Sequence, residues 1–162
     1  MTNEPFDQNS WERRWAQALR QSPEKVASRP PSALLRAEIG DIEPGSALDA
    51  GCGHGSDAIW LAASGWQVTA LDFSATALDF GRSTAHAAGA DVAERIEWVV
   101  GHRPIDPGTG APTPAAGQVQ VSVDEAVAAL DPLEWHIAVA EQRARAAVGT
   151  GVDAVVRAIR VG

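Results

Sequence analysis

The feature that most constrains this chain is a glycine-rich segment, Asp49-Ala50-Gly51-Cys52-Gly53-His54-Gly55, which lies between an apolar stretch and a helical one. Residues 46–50 predict a short buried strand, and residues 56–64 predict a helix that ends at Gly65. Glycines at such a junction let the backbone turn sharply and let a ligand approach it closely. Because the following helix presents unpaired N–H groups to that ligand, the segment predicts a binding site.

The same alternation of strand and helix continues as far as Val100. Residues 66–71 predict a second strand, residues 75–88 a helix capped by Ser74, and residues 95–100 a third strand. Strands that alternate with helices in this way are typical of a parallel sheet with right-handed crossovers. The sequence therefore predicts the α/β fold class.

The flanking segments are less regular. Residues 6–21 predict an amphipathic helix with Asn9 or Ser10 as N-cap, and the simplest interpretation is that its Trp11 and Trp15 pack on the core. The other predicted elements are a helix over 32–40 capped by Ser32, a Pro/Gly-rich loop over 101–121, a helix over 123–130 opened by a capping box at Ser122, and strands over 135–140 and 152–161 that suit antiparallel pairing.

The second predicted strand ends at Asp72, about 20 residues after the first glycine of the turn, the spacing at which a carboxylate accepts hydrogen bonds from ribose hydroxyls. The dinucleotide fingerprint is not met, because it would need glycine where Ser56 stands. Asp49 beside the turn would also repel a pyrophosphate. A carboxylate there suits a ligand with an ammonium group, such as the amino-acid end of S-adenosylmethionine.

Two stretches, Leu48-Asp49-Ala50-Gly51-Cys52-Gly53-His54-Gly55 and Val68-Thr69-Ala70-Leu71-Asp72-Phe73-Ser74, resemble the first two motifs of class I S-adenosylmethionine-dependent methyltransferases. Trp11-Glu12-Arg13-Arg14-Trp15 also resembles the opening helix of the small tellurite-resistance and thiopurine-type members. The resemblance implies a Rossmann-like three-layer sandwich, with a mostly parallel sheet and a C-terminal antiparallel pair. We expect one domain over 1–162, divided into a helical lid (1–45), a cofactor-binding half (46–100), the Pro/Gly loop (101–121) and a C-terminal part (122–162).

The resemblance also implies a set of cofactor-binding residues. Asp49, Gly51 and Gly53 would line the methionine end of S-adenosylmethionine, whose product is S-adenosylhomocysteine. Asp72 would hold the ribose hydroxyls, Phe73 would pack on the adenine, and Trp15 would close over the cofactor. Cys52 and Ser74, from the same two motifs, complete the set. We expect no metal and name no catalytic residue.

Structural alternatives stand beside several of these roles. Asp72 could be only a helix cap and Phe73 only a core residue, while Cys52 suits a small buried side chain better than a nucleophile. His54 is interpreted as a turn residue over the helix start. His102 and His136 are interpreted as structural, although His102 and Arg103 are the loop residues within reach of the acceptor.

The resemblance breaks after Val100. The family has an acidic residue after its third strand, where this chain has Gly101, and it then supplies a fourth strand, a helix and a fifth strand that we cannot find before Ser122. We expect an internal deletion of about one β-α-β piece, ~30 residues or more, whether natural, engineered or unrecorded. The first strand would then expose an unpaired edge and an apolar face, which predicts a five-stranded sheet or an intertwined homodimer.

The composition of the chain restricts its expected partners and its expected location. A net charge of -8, from 13 Lys+Arg against 21 Asp+Glu, argues against nucleic acid as partner, so a small molecule is the expected methyl acceptor. No apolar run approaches the ~18 residues of a membrane span, and the polar first residues are unlike a signal peptide, so we expect a cytoplasmic protein. The leading hypothesis is a methyltransferase; the alternatives are a catalytically silent cofactor-binding or partner-stabilising homologue and, less favoured, a nicotinamide-linked oxidoreductase.

Overall fold

Parallel strands and their crossover helices organise the first part of the chain in the computed structural model, which describes residues 8–101, 122–144 and 152–161. The elements in chain order are α1 (Gln8–Gln21), α2 (Pro23–Ala27), α3 (Ala33–Ile39), β1 (Ser46–Ala50), α4 (Ser56–Ala63), β2 (Gln67–Asp72), α5 (Ala75–Ala88), α6 (Ala90–Glu94), β3 (Ile96–Val100), α7 (Val123–Ala128), β4 (Trp135–Ala144) and β5 (Val152–Arg160). The described residues fall into two units, one formed by residues 8–101 and the other by residues 122–144 and 152–161.

The first unit holds a parallel sheet in the order β1-β2-β3. Ala47, Val68 and Ile96 are in register across the three strands, and parallel neighbours in register share one face of a sheet. That face packs on the helices, since Val68 and Ile96 belong to one buried cluster with α4 residues such as Leu61. The predicted parallel α/β fold class is confirmed, including the C-terminal antiparallel pair described below.

Serine caps set several helix starts, as the sequence predicts. The Ser32 hydroxyl accepts a hydrogen bond from the Leu35 N–H at 3.3 Å, and the Ser74 hydroxyl accepts one from the Ala77 N–H at 3.1 Å. The predicted helix over 6–21 is found as α1, but the predicted N-cap is wrong, because Gln8–Gln21 includes both Asn9 and Ser10. Ser10 is instead buried, at 1% exposure. The short helices α2 and α6 were not predicted, since five residues are too few to carry a helical period.

Strand β1 lies at an edge of the sheet, since among the described residues it pairs with β2 alone. Its residue Leu48 is 67% exposed, which is unusual for a strand of a parallel sheet because such strands are normally covered on both faces. The structure agrees here with the expectation that this strand exposes an unpaired edge and an apolar face.

The second unit contains α7, β4 and β5. Ser122 and Glu125 form the predicted capping box: the Ser122 hydroxyl accepts from the Glu125 N–H at 3.2 Å, and Glu125 accepts from the Ser122 N–H at 2.9 Å. Strands β4 and β5 pair antiparallel, as predicted, with Trp135 opposite Arg160. The described strands thus form a three-stranded and a two-stranded sheet, so the prediction of one five-stranded sheet is wrong for this part of the chain.

Some predictions fall on residues 102–121, which lie outside the described residues, among them His102, Arg103 and most of the Pro/Gly loop. His136 is exposed on β4. No helix within the described ranges is both long enough and apolar enough to cross a membrane. The same ranges contain no group of three or more His, Cys, Asp or Glu side chains that could hold a metal ion.

Candidate functional site

The glycine turn between β1 and α4 is tied to the end of β2. The N–H groups of Gly51 and Cys52 both donate to the Leu71 carbonyl, at 2.7 and 3.1 Å. Gly53 has φ +56°, a left-handed conformation that favours glycine, and a Cβ there would come within 2.8 Å of the Trp15 indole. The turn therefore needs glycine both for its own path and for the close approach of Trp15.

The third glycine of the turn serves packing. Gly55 has φ +76°, and a Cβ on it would collide with the indole of Trp98 on β3. Gly81 on α5 faces the same ring, because a Cβ on it would lie 2.6 Å from the indole and 2.8 Å from the His54 carbonyl. Gly55 and Gly81 thus leave space for the Trp98 indole, and the packing of this ring sets the distance between the turn and α5.

Asp72 holds the turn from the end of β2. One carboxylate oxygen accepts from the Gly53 N–H at 2.8 Å, and the other accepts from the Ser74 N–H at 2.8 Å. The side chain is 7% exposed. Each carboxylate oxygen has a second lone pair, so Asp72 can still accept hydrogen bonds from a ligand. Asp72 therefore has a structural role at the turn in addition to its predicted role at the ribose.

A cavity of about 380 Å³ opens in front of the turn. It is lined by Trp11, Trp15, Arg29, Gly51, Cys52, Gly53, His54, Ser56, Asp72 and Phe73. Six of the eight predicted cofactor-binding residues are in this set; the two that are not are Asp49 and Ser74. Ser74 is fully buried and caps α5, so its hydroxyl is used within the fold.

Asp49 lies under the turn at the end of β1. Its Oδ2 atom is buried and has no hydrogen-bond partner among the described residues. Burial raises its pKa from 3.8 to about 6; the charges of Asp57 and Asp72 add to this rise, and the Ala58 backbone partly opposes it. An unpartnered carboxylate oxygen close to two further carboxylates makes this end of the site attractive to a cation.

Cys52 and His54, two other residues of the glycine turn, differ in the chemical state of their side chains. Burial, followed by the charges of Asp49 and Asp72, raises the pKa of the Cys52 thiol to about 12, which favours the protonated thiol over the thiolate. His54 is 5% exposed, lines the cavity, and has a buried Nε2 atom without a partner among the described residues. Burial, and then the charge of Arg29, lowers the pKa of His54, so the imidazole is neutral at pH 7.

The N-terminal helices form the opposite wall of the cavity. Trp15 lies with its ring centroid 5.5 Å from that of His54, and Trp11 is in contact with Arg14, whose guanidinium lies 5.2 Å from the indole centroid. Neither tryptophan belongs to the main hydrophobic cluster of the described residues, so the interpretation that both pack on the core is not supported. Glu12 fastens α1 by accepting the Ala75 N–H at the start of α5, at 2.8 Å.

The lining residues that sequence reasoning missed are Trp11, Arg29, His54 and Ser56. His54 and Ser56 stand next to predicted residues, but nothing in their own pattern separates a ligand contact from a turn residue. Arg29 belongs to a loop distant in sequence from both motifs, and only the fold brings it to the cavity. Aromatic walls, an acidic end and the carboxylate of Asp72 fit an adenosine carrying an amino-acid tail.

Comparison with known sequences finds a family match for part of the chain. Residues 47–103 match the family described as "Methyltransferase domain". The match begins in β1, includes both the glycine turn and Asp72, and ends shortly after β3. Both motifs that carry the resemblance lie within these matched residues.

Several known methyltransferases are similar to limited parts of the chain. The ribosomal RNA small subunit methyltransferase C of Alcanivorax borkumensis is 50% identical over 36 residues, which are 22% of this chain and 11% of that protein. A TehB-like SAM-dependent methyltransferase from Corynebacterium glutamicum is 23% identical, with a TM-score of 0.41 over 57% of this chain and 46% of its own. The glycopeptide N-methyltransferase MtfA, complexed with S-adenosylmethionine, is 18% identical, with a TM-score of 0.44 over 83% of this chain and 68% of its own. The chain thus spans about a tenth of the first relative and about half of the second.

Proposed function

We propose that this protein binds S-adenosylmethionine in the cavity before the glycine turn and transfers its methyl group to a small-molecule acceptor. The observation that carries the proposal is the convergence on one cavity of six residues that the two motifs and the opening helix predict: Trp15, Gly51, Cys52, Gly53, Asp72 and Phe73. They come from α1, the turn and the end of β2, and a family match to the methyltransferase domain covers all but Trp15.

The chain's own groups would divide the cofactor among them. The unpartnered Oδ2 of Asp49 supplies negative charge near the ammonium end. Asp72 keeps lone pairs free for the ribose hydroxyls, and its bonds to the Gly53 and Ser74 N–H groups hold it rigidly for that task. Phe73 and the indoles of Trp11 and Trp15 offer apolar surface to the nucleoside.

S-adenosylmethionine, when bound, supplies an electrophilic methyl group on a sulfonium that is already a good leaving group. The protein then has to hold acceptor and methyl donor in line and exclude water, which is the contribution of proximity and orientation. A soft nucleophile such as a thiol needs little help from a base. We therefore assign no general base to the described residues.

The acceptor is proposed as a small molecule. The net charge of -8 gives the chain no general attraction for a polyanion, although one partial relative is a ribosomal RNA methyltransferase. We propose a cytoplasmic location on the same sequence grounds, and a homodimer as one way to cover the exposed edge of β1.

A second candidate is a catalytically silent homologue that binds the cofactor or stabilises a partner. The observation that favours it is the break after β3, where Val100 is followed by Gly101 and not by the acid that the family places there. Such a protein would retain the cavity and lack the acceptor side.

Calorimetric titration with S-adenosylhomocysteine, paired with a methyl-transfer assay on a broad acceptor panel, separates these candidates. Binding with turnover supports the enzyme, binding without turnover supports the silent homologue, and absence of binding removes both. Tight binding of NADH in the same titration would instead revive the oxidoreductase hypothesis.

Asp72 provides the matching variants. Asp72→Ala removes the acceptor for the ribose hydroxyls, and we expect a loss of about 1.5–3 kcal/mol in binding free energy. Asp72→Asn keeps one carbonyl acceptor and should lose less. Because both variants also disturb the Gly53 and Ser74 N–H groups, thermal denaturation must accompany the titration. An unchanged affinity in folded Asp72→Ala would mean that Asp72 is only structural.

A further inference from the structure

The charges around the cavity are divided between its two sides. Asp72 lines it, and Asp49 and Asp57 lie close enough to the turn for each to affect the pKa of a neighbouring group. Arg29 is the one lysine or arginine among the described lining residues. His54 adds no positive charge at pH 7, because burial and the nearby guanidinium hold its pKa below the ordinary value. The cavity therefore has an acidic part and a single cationic group.

Two hydrogen bonds from backbone N–H groups hold the loop that carries Arg29 close to the glycine turn. The Arg29 N–H donates to the carbonyl of Val26 at 3.2 Å, and Val26, a residue of α2, is only 4% exposed. Three residues later the Ser32 N–H donates to the Asp57 carboxylate at 2.6 Å, and Asp57 belongs to the first turn of α4, directly after the glycine turn. These two contacts hold the loop that carries Arg29 against the same end of the cavity as His54.

The Arg29 side chain itself is not used within the fold. It is exposed, and its guanidinium forms no ion pair or hydrogen bond with any residue that the structure describes. An arginine that keeps its five donors free at the mouth of a cavity can receive a carboxylate in a bidentate manner.

Resting on the proposed function, we propose that Arg29 binds the carboxylate of the cofactor's amino-acid tail. That tail is a zwitterion: its ammonium suits the acidic part under the glycine turn, and its carboxylate needs a cation one carbon away. Arg29 is the described lining residue that can supply it. The residue then distinguishes an adenosine with an amino-acid tail from one without it.

The test compares two probes of the same cavity. S-adenosylhomocysteine has the amino-acid tail, whereas 5′-methylthioadenosine is the same nucleoside thioether without it. Arg29→Met removes the charge and keeps the length of the side chain, Arg29→Lys keeps the charge, and Arg36→Met, on an exposed residue of α3 that does not line the cavity, is the control. Dissociation constants for both probes are measured by calorimetry on the full chain.

We expect Arg29→Met to weaken S-adenosylhomocysteine roughly 10- to 100-fold, the usual range for a lost charge-assisted bond, and to leave 5′-methylthioadenosine within about twofold. Arg29→Lys should lie between wild type and Arg29→Met, and Arg36→Met should match wild type. Equal weakening of both probes, or no change for either, would overturn the role of Arg29 while leaving the proposed function intact. Failure of the wild-type chain to bind either probe would instead overturn the proposed function. If Arg29→Met lowers the melting temperature, the role of Arg29 is judged from Arg29→Lys, by the ratio of its affinities for S-adenosylhomocysteine and 5′-methylthioadenosine.

Discussion

The carboxyl of Asp49 gives the affinity for the cofactor a predicted pH dependence. Burial, together with Asp57 and Asp72, raises its pKa to about 6, so it is ionised at pH 7.5 and largely protonated at pH 5. If the ionised form attracts the cofactor's ammonium, binding must favour deprotonated Asp49. Affinity for S-adenosylhomocysteine should therefore fall as the pH drops through 6, and neither the ammonium nor the carboxylate of the ligand titrates in that range.

The size of the effect follows from the same pKa. With a pKa of about 6, roughly one tenth of the unliganded protein carries an ionised Asp49 at pH 5, so the affinity there should be about tenfold below its value at pH 8. Calorimetry from pH 5 to 8 measures this directly. Asp49→Asn should bind at pH 7.5 at least as weakly as wild type does at pH 5, because it never carries the charge, and its affinity should vary little over the range.

The variant also separates the effect of Asp49 from that of His54, whose pKa is lowered by burial. Any pH dependence that persists in Asp49→Asn belongs to another group. The reasoning is refuted by a wild-type affinity that stays flat from pH 8 to 5, or by an Asp49→Asn protein that binds as tightly as wild type at pH 7.5. Either result would make Asp49 a structural residue under the turn.

The raised pKa of Asp49 also predicts how the stability of the unliganded protein changes with pH. A carboxyl whose pKa is raised on folding binds more protons in the folded state between about pH 4 and 6, so its contribution to stability falls as the pH rises through that window. The free energy of unfolding of Asp49→Asn, measured in urea, should therefore exceed that of wild type above pH 6 and approach it near pH 4.

Two further predictions concern the supports of the site. Gly81→Ala should destabilise the fold by about 1–3 kcal/mol in urea denaturation, because the new Cβ would lie 2.6 Å from Trp98 and 2.8 Å from the His54 carbonyl. The control is Ser83→Ala, at an exposed position of the same helix, which should change the free energy of unfolding little. A Gly81→Ala protein that is more stable than wild type would contradict this packing. Glu12→Ala should cost about 1 kcal/mol and speed amide exchange in α1, because the Ala75 N–H loses its acceptor, whereas Glu12→Gln keeps one; equal exchange in wild type and Glu12→Ala would argue against this contact.

The sequence predicted best where local chemistry determines structure. Ser32, Ser74 and Ser122 cap helices because their hydroxyls satisfy N–H groups only a few residues away, and the strands around the glycine turn follow from short apolar runs between glycines. The glycine turn and the end of β2 are equally local, and five of the predicted residues that line the cavity come from them. Arg29 could not be predicted in this way, because its place depends on the hydrogen bond between Ser32 and Asp57 of α4, a residue distant in sequence. The orphaned Nε2 of His54 likewise depends on Trp15 arriving from another helix.

The deletion that we expect after β3 would affect cofactor binding and methyl transfer differently. Every described residue that lines the cavity lies between Trp11 and Phe73, before the point after Val100 at which the motif resemblance stops. The deletion would therefore affect neither the glycine turn nor Asp72. It would instead leave β1 without cover, and Leu48 on that strand is 67% exposed. Because β1 ends in Asp49 and the turn, a ligand held there would connect this poorly covered strand to β2 and to α1. Cofactor binding should thus stabilise the weakest part of the sheet, whether or not a methyl group is transferred.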